Sequence, residues 1–274
     1  MGPGLSQWIM VQEEGLLGPN DPSPVEWVNP EGRSPIVLCC EHAGRAVPER
    51  LGDLGIDAAE MDRHIAYDVG AAGLARRLSA RLDAALILQR FSRLVIDCNR
   101  PAHAPGCIPE ASDGTELPMN KGIAVAERNM RWREIHQPFH DALASFLDGR
   151  AKTGTPTALV TVHSFTPVMR ATGERRSVRL GLLFNRDPRL AEALMAAFTR
   201  AHPAIETALN VPYTVCDDSD YAIPVHGERR GIPHVLVEVR SDGIATEAGQ
   251  EAWAAMLAPA LTLALQTLNR DPRP

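Results

Sequence analysis

The sequence predicts an α/β fold with a mostly parallel or mixed central sheet flanked by helices. Three observations predict it. The apolar runs Ile36-Val37-Leu38-Cys39-Cys40, Ala158-Leu159-Val160-Thr161-Val162 and Val235-Leu236-Val237 are β-branched or Leu-rich with little polar alternation, the pattern of strands buried on both faces. Between them, apolar residues recur at helical spacing, as at Ile65, Val69, Ala72, Leu74, Leu78 and Leu82. Strands alternating with helices give a sheet covered by helices. Finally, 274 residues with 45% hydrophobic content suffice for one such domain with an ample core.

The elements follow in order. Residues 1–34 hold many Pro, Gly, Asn and Asp residues and are expected as an irregular N-terminal arm with an apolar patch at Trp27-Val28. Residues 35–270 are expected as a single α/β hydrolase domain. A strand over 35–41 leads through a loop containing Pro48 to a helix over 57–82, which Asp57 is placed to cap. Strands are expected over 84–89 and 93–98. Residues 101–122 contain Pro101, Pro105, Gly106, Pro109, Gly114 and Pro118. A loop of this length points to a functional part that covers or lines a site. A helix over 124–148 ends at Gly149. Strands over 157–163 and 178–184, a helix over 188–201, a short strand near 212–216, a strand over 234–240 and a helix over 246–268 complete the chain.

Composition excludes several classes. The formal charge is −6, and basic residues form no long patch, which argues against nucleic acid. The group Arg170, Arg175, Arg176 and Arg179 is expected as a solvated loop, with attraction of an anion as its functional alternative. No window approaches the roughly 18 apolar residues of a membrane span. The five cysteines include no tight metal-type pair and imply no disulfide framework, which favours a reducing, cytoplasmic setting. Cys39 and Cys40 should point to opposite faces of their strand as small core residues. The start Met1-Gly2-Pro3-Gly4-Leu5-Ser6 fits a myristoylation pattern too short to carry weight.

Each buried run delivers a histidine or a carboxylate where its strand should stop: His42 beside Glu41, then His163, then Glu238. Ligands in open α/β sheets bind beyond the carboxyl ends of the strands. His42, His163 and Glu238 are therefore expected to share one site able to hold and use a metal ion. A carboxylate inside Val-Leu-Val-Glu-Val is costly to bury without a partner. Glu238 either pairs with Arg240 or faces a cleft and works. His136 and His140 lack the His-Glu-x-x-His pattern and are expected on a helix surface or in packing. No nucleophile elbow or P-loop is present.

The residues also carry a resemblance. Glu238-Val239-Arg240 after Gly231-Ile232, His163-Ser164-Phe165, and Asn99-Arg100 resemble the general-base, last zinc-ligand and carboxylate-binding segments of zinc carboxypeptidases. More specifically, Glu41-His42-Ala43-Gly44, His64 with Asp68-Val69-Gly70-Ala71, Ser92-Arg93 through Asp97-Cys98-Asn99-Arg100, His163-Ser164 and Glu238-Val239-Arg240 form an ordered set. That set is similar to the N-formylglutamate amidohydrolase family from about residue 35 to about residue 260. Each motif is short; their order and joint occurrence make the match specific. The resemblance implies a zinc-carboxypeptidase-like (phosphorylase/hydrolase-like) fold, one Zn²⁺ and a small anionic N-acyl amino acid as substrate.

Within that frame His42 and His163 are the first two metal ligands. The position three after His42, a glutamate in carboxypeptidases, is Arg45, which binds no metal. Asp68 is the preferred third ligand, with Glu41 and His64 as alternatives; Asp68 orienting His42 is the structural reading. A zinc site with three protein ligands keeps one position open and lowers the pKa of its water to about 7. Glu238 would take a proton as that water attacks the formyl carbon, and pass it to the departing amine. His226 is a candidate oxyanion donor. Arg100, with Asn99 beside it, suits a substrate carboxylate because its planar fork binds bidentately. Arg93 and Arg240 are second choices, and Ser164 is a further candidate contact. The expected activity is removal of an N-acyl group, N-formyl foremost, from glutamate or a similar acidic amino acid in amino-acid catabolism. The alternatives are a deacylase or carboxypeptidase acting on another N-acyl amino acid or small peptide, and a non-catalytic metal- or carboxylate-binding module. Glu238 argues against the last.

Overall fold

The computed structural model describes residues 15–270; the Met1–Ser6 pattern lies outside the described residues. The strands are β1 (Val25–Val28), β2 (Ile36–Cys40), β3 (Ala85–Gln89), the two-residue pair β4 (Ala111–Ser112) and β5 (Thr115–Glu116), then β6 (Ala158–Phe165), β7 (Leu180–Leu183), β8 (Thr207–Leu209) and β9 (His234–Arg240). The α-helices are α1 (Ala58–Met61), α2 (Ala71–Leu82), α3 (Val125–Arg131), α4 (Gln137–Lys152), α5 (Arg189–Ala201) and α6 (Glu247–Arg270).

Seven strands form one mixed sheet in the order β1-β3-β2-β6-β9-β7-β8. β3, β2, β6 and β9 run parallel. β1 joins β3 antiparallel at one edge, and β7 joins β9 antiparallel toward the other. The central strands are buried throughout, so each of their faces meets a core. Leu38, Cys40, Val160, Val162, Val235 and Val237 pack against α2, α5 and α6. Val37, Cys39, Ile87 and Leu159 pack on the other face with Phe91, Leu94, Ile135, Phe139 and Leu143. Cys39 and Cys40 thus serve opposite cores, as strand alternation requires.

Four expectations about elements are corrected. The arm includes β1, an edge strand, where the apolar pair Trp27-Val28 lies. The helix expected over 57–82 is broken: α1 stops at Met61, turns carry the chain to Gly70, and α2 begins at Ala71. Helical periodicity continued through the break because Ile65 and Ala66 are buried in turns. Residues 93–98 form turns rather than a strand, with Val95 N–H bonded to Ser92 O and Asp97 N–H to Cys107 O. Leu94, Val95 and Ile96 are all buried, which an irregular segment surrounded by protein permits. The strand expected near 212–216 is absent, and β8 lies upstream at Thr207–Leu209, parallel to β7.

The long helix over 124–148 is present with an interruption. A π-helical turn, Trp132–His136, separates α3 from α4, and α4 continues through Gly149 to Lys152. Among the described residues no helix is long and apolar enough to cross a membrane.

Candidate metal centre and active-site cavity

The sheet brings the three predicted strand endings together. His163 and Glu238 are register partners on β6 and β9, so their side chains share a face. Beyond β2 the chain turns at Glu41-His42. Gly44 permits this course, since a Cβ there would meet Arg90 O at 1.9 Å. Asp68 arrives from the turns between α1 and α2, with its N–H bonded to His42 O at 3.0 Å. Gly70, at φ +81° and pressed against Ile244 O, then takes the chain into α2. The break in the expected helix is therefore what delivers Asp68 to the site.

The ligand atoms converge. Asp68 Oδ2 lies 2.8 Å from His163 Nδ1 and 3.3 Å from His42 Nδ1, and the two Nδ1 atoms are 3.2 Å apart. A tetrahedral ion with ligands at about 2.0–2.1 Å sets them about 3.3 Å from one another. The spacing and the donor set fit a divalent metal, and His42, Asp68 and His163 could hold one. The other nitrogen of each ring is held by a carboxylate. His42 Nε2 bonds Asp97 Oδ1 at 2.7 Å. His163 Nε2 forms a 3.0 Å ion pair with Glu41 Oε2, not aligned as a hydrogen bond. Such partners fix ring orientation and raise ligand basicity.

Arg93 ties the carboxylates together, donating to Asp68 Oδ1 at 3.2 Å and to Asp97 Oδ2 at 2.7 Å. Burial works against all of these charges, and their mutual attraction overcomes it. Burial disfavours the Asp68 carboxylate, yet His42 and His163 hold its pKa below the usual range. Burial likewise disfavours charged His163, but Glu41 and Asp68 raise its pKa well above the ordinary value. Glu238 is different. It is 6% exposed, and its Oε2 has no hydrogen-bond partner. Burial, opposed by His163 and reinforced by Asp68, pushes its pKa up to about 7, the range of a general base working near neutrality.

His42, Arg93, His163 and Glu238 wall a cavity of about 480 Å³, together with Arg100, Ser164 and Tyr213. A neighbouring hollow of about 370 Å³ shares His64, Arg93, Arg100 and Tyr213 with it. From the long loop over 101–122, Ala104, Gly106 and Pro109 line this neighbouring hollow.

The remaining sequence candidates fall into place individually. Arg100 lines both spaces, its guanidinium also touching Ser219 O. The Asn99 side chain lines the cavity but is engaged by protein: Oδ1 accepts from Tyr221 and Ala222 N–H, and Nδ2 donates to Asp220. Ser164 N–H bonds Asp68 Oδ2, and its hydroxyl donates to Val69 O. Glu41 orients His163, and His64 stands apart from the ligand atoms, 3.3 Å from Asp113. Two of the candidates do not line the cavity. Arg240 pairs with Asp242 and the carbonyls of Arg176 and Ser177, without touching Glu238. His226 lies off the cavity wall, 1% exposed and stacked on His140. His136 and His140 are buried, the packing alternative of their expected placement.

Sequence reasoning missed Asp97 as a partner of His42 and Tyr213 as part of the wall. Asp97 had a signal: a second acidic residue in the same motif as Arg93 and Asn99. Tyr213 was hidden because it falls in the stretch near 212–216 expected as a strand, which is a loop in the structure.

The fold has counterparts among known proteins. A crystal structure of a gene product from Agrobacterium tumefaciens superposes with a TM-score of 0.89 at 35% identity, covering 93% of this chain and 99% of that one. The crystal structure of N-formylglutamate amidohydrolase from Ralstonia eutropha JMP134 shares the fold, with a TM-score of 0.62 at 20% identity over 90% of this chain and 98% of that one. No curated protein sequence matches significantly. Residues 34–245 match the family described as N-formylglutamate amidohydrolase, a stretch that holds every residue of the His42–Asp68–His163 centre and Glu238; the chain belongs to that family.

Proposed function

We propose that this protein is a metal-dependent amidohydrolase that removes a formyl group from the nitrogen of glutamate or a similar acidic amino acid. The observation that carries the reading is the Glu238 carboxyl, buried, partnerless at Oε2 and poised near neutrality, beside three converging ligand atoms at the wall of a cavity. His42, Asp68 and His163 would hold one divalent ion, for which His/His/carboxylate ligation suits Zn²⁺. Such an ion supplies Lewis acidity toward a carbonyl oxygen and acidifies water.

The chain's own groups supply the rest. Glu238 accepts the proton lost by the attacking water and returns it to the amine nitrogen as the C–N bond breaks. Arg100, which lines the cavity, would hold a substrate carboxylate through its planar fork. Arg93 is committed to Asp68 and Asp97, so it keeps those carboxylates charged rather than gripping substrate. Asn99 and Ser164 act mainly on protein partners, orienting the loop at Asp220 and the Asp68 carboxylate. Five cysteines without a disulfide suit a cytoplasmic setting.

The test is amine release from N-formylglutamate against N-acetylglutamate, N-formylalanine and a C-terminal glutamyl peptide. Preference for N-formylglutamate supports the reading. Preference for the N-acetyl compound or the peptide moves the chain to the deacylase or carboxypeptidase alternative. Binding of metal and glutamate with no hydrolysis of any of them would make it a binding module.

A further inference from the structure

Behind the cavity wall lies a second group of histidines that the proposed chemistry does not use. His136, His140 and His226 are all buried. Trp132 stacks on His136 with centroids 3.6 Å apart, His136 and His140 are 4.5 Å apart, and His140 stacks on His226 at 5.1 Å with an interplanar angle of 14°. Two π-helical turns, Trp132–His136 and Ile223–Gly227, carry three of these rings. Such turns recur at functional sites.

The proton positions follow from the partners. A backbone carbonyl only accepts, so His140 Nε2–H donates to Cys98 O at 2.6 Å and His136 Nε2–H donates to Arg100 O at 3.0 Å. His140 Nδ1 is then a bare acceptor, so His226 Nε2–H donates to it at 3.0 Å. The two donated bonds therefore end on the carbonyls either side of Asn99. On the other side of the same turn, Asn99 Oδ1 accepts from Tyr221 and Ala222 N–H, and Arg100 reaches Ser219 O. The segment that supplies those partners continues into His226. Turn, loop and histidines thus close on one another, with the Arg100 guanidinium projecting from the joint into the cavity.

We propose that the His136–His140–His226 stack is a positioning device that fixes the backbone of Cys98–Arg100, and so sets where Arg100 presents its guanidinium to the substrate carboxylate. This rests on the reading of Arg100 as the carboxylate-binding residue. His136 and His140 act through Arg100 and touch no substrate, so they determine specificity for an anionic substrate rather than the chemical step.

The experiment is a double-mutant cycle. His136→Phe keeps a ring in the stack and removes the donor to Arg100 O, whereas His136→Gln retains a donor. Misplacement by about 1 Å can cost about a hundredfold. His136→Phe should therefore raise KM for N-formylglutamate by about tenfold or more, with kcat little changed, and His136→Gln should restore most of it. Residues acting through one another are non-additive; in an Arg100→Ala background His136→Phe should add no further increase. If His136→Phe does not fold, His136→Asn, whose shorter amide stops short of the carbonyl, replaces it in the cycle. Equal KM losses with and without Arg100, or a Gln variant no better than Phe, would overturn the proposal and leave the stack as packing. Wild-type protein inert toward N-formylglutamate would instead tell against the functional reading beneath it.

Discussion

Replacing Glu238 by Gln separates a working carboxylate from a structural one. The substitution keeps shape and hydrogen-bonding capacity and removes the proton acceptor. General-base catalysis contributes about 10²- to 10⁴-fold, and kcat should fall by that order. A second effect follows from the pKa. Glu238 is held at about 7 in the fold against 4.5 as its ordinary value. Between those values the folded protein binds a proton that the unfolded chain has lost, so the stability contributed by the protonated carboxyl is complete below pH 4.5 and is lost as pH rises through 7. At about 1.4 kcal/mol per pH unit the cost reaches about 3 kcal/mol. Metal-free Glu238→Gln protein escapes it. Relative to metal-free wild type, the variant should gain up to about 3 kcal/mol between pH 4.5 and pH 8. Denaturant midpoints at both pH values, with kcat on the same metal-loaded preparation, measure both effects. A Gln variant that is fully active, or whose stability relative to wild type is unchanged by pH, would refute the reasoning.

Three further predictions concern other residues. Arg100→Ala should raise KM for N-formylglutamate far more than for an uncharged N-formyl amide; the guanidinium is a third exposed, so a charge-assisted loss of about 1.5–3 kcal/mol is expected. Equal changes on both substrates would make Arg100 structural. Asp97→Asn removes the charge that orients His42, and metal affinity in a competitive chelator titration should weaken by about 10- to 100-fold. Unchanged affinity would detach Asp97 from the centre. His136 and His226 sit at about 4 in the fold, chiefly through burial, against 6.5 ordinarily. The unfolded chain binds the extra protons, so their stability is complete above pH 6.5 and is lost as pH falls toward 4. Each carries about 3 kcal/mol, and His136→Gln should flatten that acid limb of the stability curve.

What the sequence revealed was the part governed by strand burial. Ile36–Cys40, Ala158–Phe165 and His234–Arg240 announce themselves because a parallel strand covered on both faces tolerates few polar residues. A histidine or glutamate at such a strand's end is then conspicuous, which is why His42, His163 and Glu238 were legible together. Asp68 was legible as a residue and misread as helical, because burial of Ile65 and Ala66 copies helical periodicity without a helix. The turns at 93–98 deceived in the same way: Leu94, Val95 and Ile96 are buried on all sides by neighbours distant in sequence. The histidine stack was half legible: His136 and His140 stand four apart on an expected helix, but only a long-range hydrogen bond brings His226 into line with them.

The central claim is that His42, Asp68 and His163 hold one catalytic divalent ion served by Glu238. Metal content and formate release from N-formylglutamate, measured on one preparation as purified, after chelation and after reloading with Zn²⁺, test it most directly. The account predicts about one ion per chain, loss of formate release with the ion, its return on reloading, and failure of His163→Ala to regain either. Full formate release by chelated protein, or undiminished metal content and activity in His163→Ala, would contradict it.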